Sequence, residues 1–279
     1  MSWRKKKKEM TNIKHKARLI ICLMFAVVIG LIIFLTIKIV KNNEYYKIDS
    51  RIEKVNNSKP YENSSYKTIG WLKVQGTNID VPILHSNNSE ENFPVELEDF
   101  VWSNNYDTKF HNKINIEGHN IFNLSKKPKI KSELFHRFEE LMGFIYYDFA
   151  KENKYIQLTI DGKDYIYKIF SVSFINKADT TSFPLHDEYT QEEIKSQIEL
   201  FKDTSLYDYD VDVREDDKLI SLATCTRFYG VDENVKFYVN GRLLRDGEKI
   251  NNYGVTKSKL YKEIENVLKG DETNEDEEM

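Results

Sequence analysis

Between Leu19 and Ile37 the chain reads LIICLMFAVVIGLIIFLTI, 19 residues without a charged side chain. At the rise of an α-helix such a run is roughly 30 Å long, the thickness of a bilayer's hydrocarbon core. Eight basic residues (Arg4, Lys5, Lys6, Lys7, Lys8, Lys14, Lys16 and Arg18) and one acid, Glu9, precede it, a local charge of +7 over residues 1–18. By the positive-inside bias the N-terminus stays in the cytoplasm and the rest of the chain lies outside the cell membrane. A cleaved secretory signal has an apolar part of about 7–15 residues and a small-residue cleavage site. This run is longer and ends TIKIVKNNEYY, so an uncleaved anchor fits better. A buried core helix is the other alternative, and 19 uncharged residues directly behind a basic cluster argue against it. No second such run occurs, and the chain reads as single-pass.

The chain of 279 residues carries a net −4, so the part beyond residue 18 carries −11. A basic head on an acidic body is not the profile of a nucleic-acid binder, and nucleic acid is not an expected partner. A hydrophobic content of 40% and an aromatic content of 13% supply a packed core and exclude wholesale disorder. The topology also sorts the two cysteines. Cys22 lies inside the membrane run, which leaves Cys225 as the one exported thiol, either buried and inert or reactive. No Cys and His cluster has zinc-site spacing, and no metal or cofactor is expected.

Texture divides the chain into a basic head (1–18), the anchor (19–40), a polar stalk with a short helix around Glu44–Lys54 (41–66), a folded body (67–248) and an extension with an acidic tail (249–279). In the body, IGWLKV (Ile69–Val74) and IDVPIL (Ile79–Leu84) read as strands around a GTN turn. INIEGHNIF (Ile114–Phe122) alternates as a strand running into a loop. SELFHRFEELMGFIYYD predicts a helix, with Ser132 as N-cap and Leu134, Phe135, Phe138 and Leu141 at helical spacing. YIQLTI and DYIYKIFSVSFI flank Asp161-Gly162, a tight hairpin turn. Thr190 caps the amphipathic QEEIKSQIELFKD. KLISLATC (Lys218–Cys225) and VKFYVNGRLL (Val235–Leu244) are further strands, and residues 258–268 a short helix. Many short strands with few helices fit a mainly β, closed barrel decorated with helices, not a βαβ repeat. The acidic run Asp210, Asp212, Glu215, Asp216 and Asp217 reads as a solvated loop rather than a Ca²⁺ site.

A reactive thiol needs a group to manage protons and donors for the developing oxyanion. Cys225 ends an apolar strand and is followed by Thr226 and Arg227, and a cationic neighbour favours thiolate. Among the exported histidines (His85, His111, His119, His136, His186), His119 stands at a strand end behind Gly118. On these grounds alone a buried inert thiol and a surface histidine remain the competing reading.

Three motifs carry a resemblance. SLATC (Ser221–Cys225) resembles the T-L-x-T-C signature of sortases, IEGHN (Ile116–Asn120) their strand-end G-H-N element, and IGWLKVQGTNIDVPIL their opening strands. They occur in family order over roughly residues 68–245. The G-H-N spelling and the helix-bearing insert Thr190–Tyr207 resemble class B; the lid and second membrane helix usual in class C are not evident. The resemblance implies an eight-stranded barrel and a membrane-anchored cysteine transpeptidase. It implies Cys225 as nucleophile and His119 as general acid and base. The partners implied are surface proteins with a sorting signal and an amine from a peptidoglycan precursor or a pilin. Thr224 and Asn120, next to the two, are expected to contact substrate. Where the family carries an arginine, this sequence reads KFYVNGRL and presents Lys236. Three readings stay open: Lys236 substitutes, Arg227 supplies the guanidinium from the loop, or the enzyme is weak or specialised. Arg242 matches a second family arginine, about 20 Å along the strand. Beside the transpeptidase stand two other functions, a silent barrel of this type that binds peptide or wall, and an anchored adhesin or signalling ectodomain with an incidental thiol.

Overall fold

The computed structural model describes residues 20–34, 48–58, 66–86, 101–103, 109–130, 137–180, 188–230 and 234–269. The basic head, most of the stalk, His136, His186 and the acidic tail lie outside the described residues. The chain divides into two units, one of Met1–Lys47 with Ile250–Asn252 and one of the remainder. In the first, residues 20–34 form a helix (α1) whose apolar side chains are exposed. Among the described residues no helix is long and apolar enough to cross a membrane.

The second unit is a closed barrel. Its strands are β1 (Tyr66–Val74), β2 (Asp80–Ser86), β3 (Val101–Ser103), β4 (Lys113–Gly118), β5 (Tyr155–Ile160), β6 (Lys163–Asn176), β8 (Leu219–Cys225) and β9 (Val235–Leu243). They follow the order β1-β2-β3-β4-β8-β9-β6-β5, and β5 closes back on β1. Two pairs are parallel, β2 with β3 and β4 with β8; the others are antiparallel. The interior is filled by alternate residues of each strand, among them Leu72, Val74, Val81, Ile83, Ile114, Ile116, Ile220, Leu222, Phe237 and Val239. The β5–β6 turn is Asp161-Gly162, both at positive φ (51° and 67°), the pairing whose twist matches that of the strands it joins.

Helix α5 (Gln191–Asp203) begins with the expected capping box between Thr190 and Glu193 and buries Ile194, Ile198 and Phe201. It covers part of the outer face of the sheet. Lys113 Nζ donates to Gln197 Oε1 beneath it, and Ser173 Oγ donates to the Phe201 carbonyl. Of the stalk helix expected around Glu44–Lys54, residues 44–47 lie outside the described residues, 48–51 are not helical, and α2 is Ile52–Asn56. It is tied to the barrel through Asp80, which accepts from Arg51, Lys54 and the Trp71 indole.

Other expectations need correction. The helix expected from Ser132 is, over Arg137–Ile145, a 3₁₀ helix followed by α3 (Tyr147–Glu152), and residues 131–136 lie outside the described residues. Its residues from Phe138 to Ile145 are buried on every side, so the α-helical stripe was misleading. Two three-residue strands, β7 (Tyr207–Tyr209) and β10 (Val255–Lys257), pair as a separate sheet; α4 (Lys177–Thr180) is a single turn and α6 (Lys259–Lys269) closes the body. The acidic run is not simply solvated. Asp217 is buried and, with Asp212, holds the Arg245 guanidinium.

Candidate active site

Three adjacent strands bring the sequence-selected residues together. β4 and β8 run parallel, and their last paired rung is Gly118 with Thr224. One step further each chain carries a candidate, His119 on one and Cys225 on the other. β9 runs antiparallel on the other side of β8, and its Lys236 is the register partner of Cys225. Neighbouring strands lie about 4.8 Å apart, so His119, Cys225 and Lys236 form a row across three strand ends. Facing follows from the pleat. Ile220 and Leu222 point into the core, so Ser221, Ala223 and Cys225 point to the outer surface. Lys236, paired with Cys225, shares that face, as does Glu117, paired with Ala223. The Cys225 thiol is exposed. His119 is half-buried, its ring against Trp102 of β3 at 4.8 Å between centroids and 56° between planes. An accessible thiol, an imidazole and a cation in one row is the equipment of nucleophilic acyl transfer.

The sortase family model matches residues 72–244, more than half of the chain. This chain belongs to the sortase family. Its fold is that of solved sortase B structures. The Clostridium perfringens enzyme superposes with a TM-score of 0.51 at 22% identity, over 70% of this chain and 98% of that one. Staphylococcus aureus sortase B gives 0.51 at 19%, over 70% and 85%, and its substrate complex 0.50 at 18%, over 70% and 83%. Comparison with curated proteins gives no significant match.

The two residues expected to contact substrate, Thr224 and Asn120, are buried and hydrogen-bonded to backbone carbonyls. Thr224, 2% exposed, donates its hydroxyl to the Gly118 carbonyl at 2.8 Å and locks the ends of β8 and β4 together. Asn120, 6% exposed, donates to the carbonyl of Cys225 at 3.0 Å. Its Oδ1 accepts from the Asn123 backbone. Asn123 donates to the carbonyls of Lys129 and Glu139, both at 3.0 Å. The buried Glu139 carboxylate accepts the backbone N–H groups of Ile121 and Phe122. Thus a polar chain from β8 through Asn120 and Asn123 to Glu139 holds the loop that follows His119. Gly118 belongs to the same device: a Cβ there would meet a Phe138 ring carbon at 2.3 Å, so only glycine admits the ring so close to the strand end.

The cation candidates separate. Lys236 Nζ donates to Glu117 Oε2 at 2.6 Å. Arg227 is exposed, and no side-chain hydrogen bond or ion pair of it is found among the described residues. Arg242 lies at the far end of β9, 2% exposed and paired with Glu248. Of the other histidines, His85 is buried in β2, and His111 precedes β4 at the end away from His119, its Nδ1 3.0 Å from Glu188 Oε1. Sequence reasoning passed over Glu117, Trp102, Asn123 and Glu139. Only Glu117 left a signal: it stands two residues before His119 in a strand, and so on the same face. Among the described residues no group of three or more His, Cys, Asp or Glu could hold a metal ion.

Proposed function

We propose that this sortase is a membrane-anchored transpeptidase in which Cys225 is the nucleophile, His119 the proton carrier and Lys236 the cation. The observation that carries the reading is the single row of His119, Cys225 and Lys236 across the ends of β4, β8 and β9. The thiolate attacks the carbonyl of a peptide bond in a sorting signal. The C–N bond breaks, His119 hands its proton to the leaving amine, and a thioester remains. An amine from a peptidoglycan precursor or a pilin then attacks the thioester, gives its proton to His119 and releases the thiolate. Lys236 stabilises the oxyanion of both tetrahedral steps. A substrate complex of the S. aureus sortase B and a sortase B complex with triglycine support a peptide donor and an amine acceptor here. So do Phe122 and Tyr229, 58% and 52% exposed, which stand on the loops after His119 and Cys225 and offer apolar contacts to a peptide. The basic head and the uncharged run Leu19–Ile37 support an anchor with the body outside the cell.

The alternative is a barrel that binds peptide without turnover, favoured by a lysine where the family carries arginine. Intact mass separates the two. The full chain in detergent, incubated with sorting-signal peptides, is expected to gain an acyl adduct that Cys225→Ala abolishes, His119→Ala strongly reduces and an added amine discharges. A chain that gains no adduct while its thiol resists alkylation would leave the silent barrel.

A further inference from the structure

The Lys236 ammonium has one hydrogen-bond partner among the described residues, and that partner is on neither its own strand nor the next. Lys236 is opposite Cys225 on β8, yet its Nζ crosses β8 to reach Glu117 on β4 at 2.6 Å. Glu117 is opposite Ala223, one outward-facing position before Cys225, and is itself one outward-facing position before His119. The carboxylate and the ammonium therefore span the strand that carries the nucleophile, with the proton carrier beside the one and the thiol beside the other. Both side chains are mostly covered, at 17% and 25% exposure, so water screens the pair only in part.

A lysine lacks the planar fork of an arginine and carries its charge on four freely rotating bonds. Left alone, it would have to be ordered at each turnover. A carboxylate that accepts one of its three N–H bonds orders it in advance and leaves two donors to meet an oxygen above Cys225. We propose that Glu117 is a positioning residue that holds Lys236 beside Cys225, so that a lysine and a carboxylate together serve where the family uses an arginine. This rests on the reading of Lys236 as the oxyanion cation.

The test uses the full chain in detergent and a sorting-signal peptide that acylates it. Glu117→Gln keeps size and hydrogen bonding and removes the charge. It is expected to lower kcat for acylation about tenfold, the cost of re-ordering one long side chain, with KM for the peptide within about twofold. The thermal midpoint should move by no more than about 2 °C, because a single partly exposed pair contributes little to stability. Glu117→Asp is expected to recover part of the rate. In a Lys236→Ala background Glu117→Gln should change nothing further, and in Lys236→Arg, whose fork orders itself, it should cost less than about twofold. An unchanged rate in Glu117→Gln, a faster one, or the same tenfold loss in the Lys236→Ala background would each overturn the proposal. A wild-type chain that forms no acyl adduct overturns the transpeptidase reading and the positioning role with it, and is told apart because it fails before any variant is compared.

Discussion

Strand β9 carries two cations six residues apart on one face, and they live in opposite worlds. Lys236 stands where the strand meets the thiol, half-buried and bonded to a single oxygen of Glu117. Arg242, at the other end, is 2% exposed and gives both terminal nitrogens to Glu248, which also takes Lys168 Nζ at 2.6 Å and the Arg245 backbone N–H at 3.0 Å. Burial alone pushes the Glu248 carboxyl up; the hydrogen bonds from Arg242, Lys168 and Arg245 outweigh it and hold it at about 2. At one end the guanidinium is buried and both its terminal nitrogens are paired, although its buried Nε has no hydrogen-bond partner among the described residues. At the other, a cation with one hydrogen-bond partner among the described residues keeps donors for an oxygen beside an exposed thiol, as an acyl-transfer site requires. The sign of the charge alone does not separate these two positions; the number of carboxylate contacts and the burial do.

The comparison can be broken from either end. Glu248→Ala leaves Arg242 and Lys168 covered without a counter-charge and is expected to cost about 3–5 kcal/mol in urea unfolding. The acylation rate of the molecules that remain folded should not change, and a parallel loss of rate would show that the two ends are coupled. Lys236→Ala should do the reverse, lowering acylation about 10²–10³-fold, the range for loss of one oxyanion donor, with the unfolding midpoint almost unmoved.

Acid sharpens the contrast. A folded-state pKa of about 2 against an ordinary 4.5 means that the stability contributed by Glu248 is full above about pH 4.5 and is lost as pH falls toward 2. Asp80 acts in the same window. Burial raises its carboxyl, but Arg51, Trp71 and Lys54 bring it from 3.8 to about 2. Urea midpoints at pH 6, 4 and 3 should therefore fall steeply, and Glu248→Gln should remove the Glu248 share of that fall. On the alkaline side the dependence is expected to come from Lys113, under α5. Burial brings its ammonium from 10.5 down to about 7, so between those values the unfolded chain binds the extra proton and stability rises with pH. Lys113→Met should flatten that rise, read from unfolding at pH 7 and 9, and be neutral or stabilising at pH 7.

Much of this protein was legible from its residues. Local signals suffice for a capped helix such as α5, for the Asp161-Gly162 turn and for apolar strands such as β8 and β9, because each is specified within about ten neighbours. The same locality explains what was missed. β3, β7 and β10 have three residues each, too few for a period, and the 3₁₀ helix is buried all round. Thr224 and Asn120 could be picked out as neighbours of the two candidates, but only the packed strands show their polar atoms bonded to the carbonyls of Gly118 and Cys225.

By itself the sequence determined the family and the presence of a lysine where an arginine is usual, and it pointed to one thiol and one histidine. The tertiary structure alone decided that Lys236 is the register partner of Cys225 and that Glu117, 119 residues earlier in the chain, holds its ammonium. The physical reason is that motifs record what neighbours in sequence demand of one another, whereas strand pairing joins residues whose contact is set by closing a long loop, and no local pattern encodes that closure.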